Sequence, residues 1–303
     1  MKRNIYSYSK LWMILFVLMG AACTNQVEDA IPVSGQPIEF SVQSDWKEIP
    51  NTRSNAGKPN FEKGNEIQIF GFHKSSSGKV QKFMYRVNDK NRGQIVKYDG
   101  KNWNYSPKRF WPKEGTLDFY AGYPEFSVFY DETGRKCYKQ DANPLQLDLL
   151  WGESTDHDCT KTDNVSITMK HALAKVIINL DESLGGIKQA DVSAYHVGHF
   201  DVTDTDRIPI WDVEKTSDNI TIAHLYPSEG LQTMPDATVF ILPDKITRLI
   251  LTTLDKEEID VSDKIQNLEF KAGKLYELTI SKRVRKNNTN TRSISMSVRC
   301  VSE

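Results

Sequence analysis

Apolar and polar residues alternate along most of the chain from residue 38 onward. Ile38-Glu39-Phe40-Ser41-Val42 and Glu66-Ile67-Gln68-Ile69-Phe70-Gly71-Phe72 put apolar side chains at every second position, the period of a half-buried β-strand. Further strand-like runs lie at 82–88, 94–98, 102–105, 117–123, 145–151 and 165–170, separated by turn pairs such as Ser77-Gly78, Asp99-Gly100, Glu114-Gly115 and Thr133-Gly134. The second half continues at 174–180, 190–200, 208–213, 219–225, 237–242, 248–254, 259–262 and 274–281. Only 170–177 carries a helical ambiguity, and its continuation Val176-Ile177-Ile178-Asn179-Leu180 makes it a strand. Short strands without intervening helical periods predict an all-β chain of antiparallel sandwiches or barrels rather than a parallel α/β sheet. Each half holds enough strands for its own sandwich, with a boundary near Val176, giving units at 38–175 and 176–282.

The ends depart from this pattern. Lys2, Arg3 and Lys10 precede an apolar run from Leu11 to Met19 and then Gly20-Ala21-Ala22-Cys23. A basic start, a short apolar core and small residues predict an export signal over 1–22, since crossing a bilayer takes roughly 20 apolar residues. A cysteine directly after the small residues resembles a bacterial lipobox and makes Cys23 the candidate lipidation site. Gly20 stands where such boxes more often carry Leu or Val. Acyl chains, at about 0.8 kcal/mol per buried methylene, would anchor the mature chain without a spanning helix. Residues 23–37, polar and containing Pro32, Gly35 and Pro37, read as a tether.

At the other end a basic linker leads, within 283–303, to a strictly alternating segment. Ile294, Met296, Val298 and Cys300 share one face, while Ser295, Ser297 and Arg299 share the other. Three readings stand open. The segment completes the second sandwich of its own chain, it is a donor strand for a neighbouring molecule, with alternate side chains filling pockets, or it is disordered.

Composition narrows the chemistry. The 303 residues carry 39 Lys+Arg against 40 Asp+Glu, which gives no electrostatic ground for a nucleic-acid partner. Loss of 1–22 removes three basic groups and no acidic one, leaving 36 against 40. No G-x-S-x-G elbow, Walker loop, G-x-G-x-x-G or H-E-x-x-H is present, so no enzyme, cofactor or metal site is assigned. His196 and His199 would point to opposite faces of a strand. Asp156-His157-Asp158 with Asp163, and Asp201, Asp204 and Asp206, offer oxygens suited to calcium but lack an EF-hand pattern and read as turn carboxylates. His171 reads as a structural histidine. Trp103, Trp111, Tyr120, Tyr123 and Trp151 are read as core, the alternative being a sugar-stacking surface. Cys137, Cys159 and Cys300 form no CxxC pair; one disulfide with an odd thiol and isolated buried thiols both fit.

Several local patterns follow one another along the chain. They are Phe61-Glu62-Lys63-Gly64-Asn65-Glu66-Ile67 with Phe70-Gly71-Phe72; Trp103 with Trp111-Pro112; and Leu117-Asp118-Phe119-Tyr120-Ala121-Gly122-Tyr123-Pro124. Asp148-Leu149-Leu150-Trp151-Gly152, Met169-Lys170-His171-Ala172-Leu173-Ala174-Lys175 and Phe270-Lys271-Ala272-Gly273-Lys274-Leu275-Tyr276 complete the series. This succession resembles the fimbrillin-like family of type V pilus subunits. The resemblance implies two antiparallel β-sandwich domains of transthyretin-like topology and export as an outer-membrane lipoprotein. It also implies assembly with other fimbrial subunits into surface fimbriae involved in adhesion. In polymerising members an Arg-specific, trypsin-like protease removes the first strand, and a strand donated by another subunit fills the groove. Thr52-Arg53-Ser54, in the polar stretch 51–60, makes Arg53 the candidate cleavage residue. An emptied groove leaves unpaired backbone groups and open apolar pockets, and head-to-tail filling of it builds a filament rather than a ring. A second reading, from a different class, is a non-polymerising surface lipoprotein that binds glycans or other ligands through exposed aromatics and loops.

Overall fold

A computed structural model describes residues 31–44, 61–124, 129–130, 136–139, 148–201, 210–226, 237–284 and 292–301. The first unit is built on one eight-stranded sheet. Its order is β2 (Phe40–Ser44), β12 (Val165–His171), β11 (Leu150–Asp158), β8 (Thr116–Tyr123), β3 (Glu66–Lys74), β5 (Gln94–Tyr98) and β6 (Trp103–Asn104), with β4 (Val80–Met84) also paired to β3. The two ends of this sheet meet, for the indole N–H of Trp103 in β6 donates to the carbonyl of Val42 in β2 at 3.3 Å. Alternate residues fill the space enclosed: Leu117, Phe119 and Ala121 from β8, and Val165, Ile167 and Met169 from β12. Strand β3 is buried on both faces, because Ile67 and Ile69 enter this core while Phe70 and Phe72 pack behind it. Gly152 allows β11 and β12 to approach, since a Cβ there would lie 2.7 Å from Ile167 Cγ2 and 2.8 Å from the Thr168 carbonyl.

The second unit stacks two four-stranded sheets. One runs β18 (Ala237–Ile241), β13 (Ala174–Leu180), β21 (Leu275–Val284), β22 (Arg292–Val301); the other runs β17 (Ile220–Leu225), β14 (Ile187–Tyr195), β19 (Ile246–Thr253), β20 (Glu258–Asp260). Val176, Ile178, Val192, Leu249, Leu251 and Leu278 lie in the core between them, joined by Ile265 from the single turn α1 (Ser262–Ile265). Two pairs depart from the antiparallel expectation, β2 with β12 and β13 with β21, which run parallel.

The main chain passes from one unit to the other at Ala172-Leu173, a few residues before the boundary expected at Val176. The division is less clean than the strand count suggested. A further sheet, ordered β16 (Ile210–Val213), β15 (Val197–Asp201), β10 (Lys136–Lys139), β9 (Phe129–Tyr130), takes two strands from each half. Phe70, Phe72, Trp151, Phe200 and Phe240 form a third apolar cluster that joins the halves.

Three local readings are corrected. The tether expected over 23–37 does not reach 37, because β1 (Val33–Pro37) pairs antiparallel with β7 (Phe110–Pro112). All five β1 residues are exposed, so the strand is held through its backbone and no apolar alternation announces it. The run 190–200 is not one strand: β14 ends at Tyr195, and the chain enters a different sheet at Val197. Asp156-His157-Asp158 is not a loop but the end of β11, with His157 opposite Leu117 and Asp158 opposite Thr116. Among the described residues no helix is long and apolar enough to cross a membrane.

Candidate strand-exchange site

The N-terminal strand fits its sequence pattern closely. Ile38 is 0% and Phe40 6% exposed, Val42 is half-buried, and the intervening Glu39, Ser41 and Gln43 face solvent. Among the described residues strand β2 forms a ladder on one side alone, parallel to β12 from Phe40 opposite Val165 to Ser44 opposite Met169. Side chains and a loop supply its other edge. Ile38 N–H donates to the Arg109 carbonyl (2.9 Å), the Tyr105 hydroxyl donates to the Ile38 carbonyl (2.8 Å), and Trp103 holds Val42 as described. The Phe40 ring lies edge-on to Tyr105 and Phe119, with centroids 5.7 and 5.3 Å away. Outside, Glu39 meets the Lys108 ammonium at 3.0 Å. Burial pushes the Tyr105 phenol up to about 12, and the Glu39 charge adds in the same direction. A five-residue strand with one ladder can be withdrawn without dismantling the sheet. Its withdrawal would bare the β12 edge and the pockets of Ile38 and Phe40. Cys23 and Arg53 lie outside the described residues.

The C-terminal segment is the edge strand β22, paired antiparallel along the whole of β21 from Arg292 opposite Val284 to Val301 opposite Leu275. Within this chain it completes the second sandwich. Its apolar face is only half used. Ile294 and Met296 are partly buried against the core, whereas Val298 is 40% exposed and Cys300 is an exposed free thiol.

The other singled-out residues fall into structural places. Trp103, Trp111 and Trp151 are buried, and Tyr120 and Tyr123 are half-buried, so these aromatics fill cores. His171 Nδ1 lies 2.6 Å from Asp148 Oδ2, a partner that no local spacing marks, because the sheet brings Leu150 opposite His171. His196 Nδ1 lies 2.7 Å from the Asn219 carbonyl, and His199 Nδ1 lies 3.8 Å from Glu214. Asp158 accepts from the Thr160 hydroxyl and N–H, which hold its carboxyl below the usual range. Asp204 and Asp206 lie outside the described residues. Among the described residues no group of three or more His, Cys, Asp and Glu is placed to hold a metal. Cys159 is a buried free thiol pushed up to about 11, mainly by burial. The anchoring roles of Tyr105 and Trp103 also lack a local signal, since both act on a strand more than sixty residues earlier.

A family model described as fimbrillin-like matches residues 52–297. No curated protein matches the chain. Among solved structures, a candidate cell adhesion protein from Bacteroides uniformis shares 18% identity over 87% of this chain and 97% of that one, with a TM-score of 0.53. The tip fimbrial protein Mfa3 from Porphyromonas gingivalis shares 10% identity over 78% of this chain and 94% of its own, with a TM-score of 0.43. The fimbrial anchor protein Mfa2 of the same organism shares 11% over 87% and 96%, with a TM-score of 0.39. The Bacteroides likeness extends to the fold, and the family match takes in most of both units. On that match, this chain belongs to the fimbrillin-like family.

Proposed function

We propose that the chain is a structural subunit of surface fimbriae, exported through residues 1–22, lipidated at Cys23 and matured by an Arg-specific protease at Arg53. In this reading the cut releases β2, and a strand from another fimbrial subunit takes its place. The carrying observation is the seating of Ile38 and Phe40, both buried, the first just ahead of β2 and the second on it, with β12 as the one ladder partner of β2 among the described residues. The candidate donor is the terminal segment, where Ile294, Met296, Val298 and Cys300 repeat the every-second-residue spacing of Ile38, Phe40 and Val42. Anchorage to the outer membrane before cleavage would rest on the acyl chains of Cys23.

Limited trypsin treatment of the purified chain tests this reading. An early single cut at Arg53 followed by SDS-resistant ladders is expected, and Arg53→Ala should remain monomeric under the same treatment. Efficient cutting at Arg53 that yields monomers only, together with full-length single molecules on cells, would sink it. The alternative of glycan binding through exposed aromatics has lost its tryptophans to the cores.

A further inference from the structure

A cleft of about 740 Å³ lies where the β1–β7 ribbon faces β4. Its volume falls within the range of small-ligand sites. Lys79, Lys82, Lys90, Lys108 and Arg109 line it, and among the described residues no acidic side chain does. This concentration stands out on a chain with net charge −1. Two of these side chains meet at one ring. The Arg109 guanidinium lies 5.2 Å from the Tyr85 ring centroid and the Lys90 ammonium 5.9 Å from it. One guanidinium N–H of Arg109 donates to the Tyr85 carbonyl (3.4 Å), while its Nε is buried with no hydrogen-bond partner among the described residues. Lys82 donates to the Lys90 carbonyl (3.1 Å), which ties the cationic wall to the turn that carries Lys90. Val33 and Phe110, respectively 41% and 37% exposed, add apolar surface from the β1–β7 ribbon.

We propose that this cleft binds an anionic saccharide, a glycan bearing carboxylate or sulfate groups. Such a ligand combines what the lining asks for: pendant anions for the lysines and Arg109, and an apolar ring face for Phe110 and Val33. Glu39 pairs with the lining cation Lys108 from outside the cleft. It competes with the ligand for that ammonium. The site takes Ile31 and Val33 from the segment that a cut at Arg53 would remove, and it shares Arg109 with the seat of Ile38, so it belongs to the uncleaved chain.

Calorimetric titration of the intact chain at neutral pH with a chondroitin sulfate hexasaccharide, trigalacturonate and neutral maltohexaose tests the assignment. Both anionic probes should bind at least about tenfold more tightly than maltohexaose. Lys90→Ala with Lys108→Ala should weaken anionic binding about tenfold at an unchanged melting temperature, and Lys79→Ala with Lys82→Ala provides an independent pair. Glu39→Gln should strengthen binding about twofold by freeing Lys108. Equal binding of maltohexaose, indifference of both folded double variants, or a hexaglutamate peptide binding as tightly as the saccharides would overturn the proposal.

Discussion

Tyr105 joins packing to a hydrogen bond at one point, and its protonation state carries both. The neutral phenol donates to Ile38 and packs against Phe40, and burial disfavours the phenolate. Its folded pKa, about 12, exceeds the ordinary value of 10.0. The stabilisation is therefore fully present below pH 10 and is lost as pH rises through 12. By linkage this amounts to about 2–3 kcal/mol at most. Chemical denaturation from pH 9 to 12 should show a steeper loss of stability in the native chain than in Tyr105→Phe; parallel curves would refute the assignment. The cysteines differ in a way that labelling reads directly. Cys300 is exposed, whereas burial holds the Cys159 thiol neutral at ordinary pH. Alkylation of the folded chain mapped by mass spectrometry should modify Cys300 first, with Cys159 reacting only on unfolding. The sequence identified both residues but could not assign their environments, because burial at these positions is decided by distant strands.

Strands were legible where one face is buried and the other is wet. The alternation in 38–42, 165–170 and 293–301 reappears in β2, β12 and β22, since a half-buried strand imprints its period on the residue types. Legibility fails where that contrast is missing. Strand β1 is exposed along its length, and Gly152-Glu153-Ser154-Thr155 in β11 is polar despite its long pairing with β8. The terminal strand shows how a pattern can be read correctly and still leave its use open. Folding of the single chain partly buries Ile294 and Met296, while Val298 and Cys300 remain outside. Met296→Asp should therefore destabilise the monomer by about 1–3 kcal/mol and Val298→Asp by less than about 0.5 kcal/mol. If the same strand is donated, both substitutions should abolish ladder formation after cleavage. Normal assembly by Val298→Asp would show that the exposed half of the face has no donor role.

At the scale of the whole molecule, the two units are tied at the place where the main chain crosses between them. Trp211, on β16, donates its indole N–H to the carbonyl of Ala172 at 2.8 Å. Phe200, on β15, is 1% exposed between Trp211 and Trp151, with ring centroids 4.8 and 6.2 Å away. The strand count anticipated two units but not this sheet, because β10 and β15 pair across a long sequence separation and no local period encodes that match. The consequence is mechanical. A chain pulled from both ends transmits load through the junction, so the halves should open together while the aromatic cluster is intact. Phe200→Ala removes the ring at its centre, at a cost of about 3–5 kcal/mol. Hydrogen exchange under rising denaturant reads each unit separately, through β3 and β8 in the first and β14 and β19 in the second. Exchange should rise at one common midpoint in the native chain and at two in Phe200→Ala. A single, merely lowered midpoint in the variant would show that the backbone pairing of β10 with β15 suffices to couple the halves and that the aromatic cluster adds stability alone.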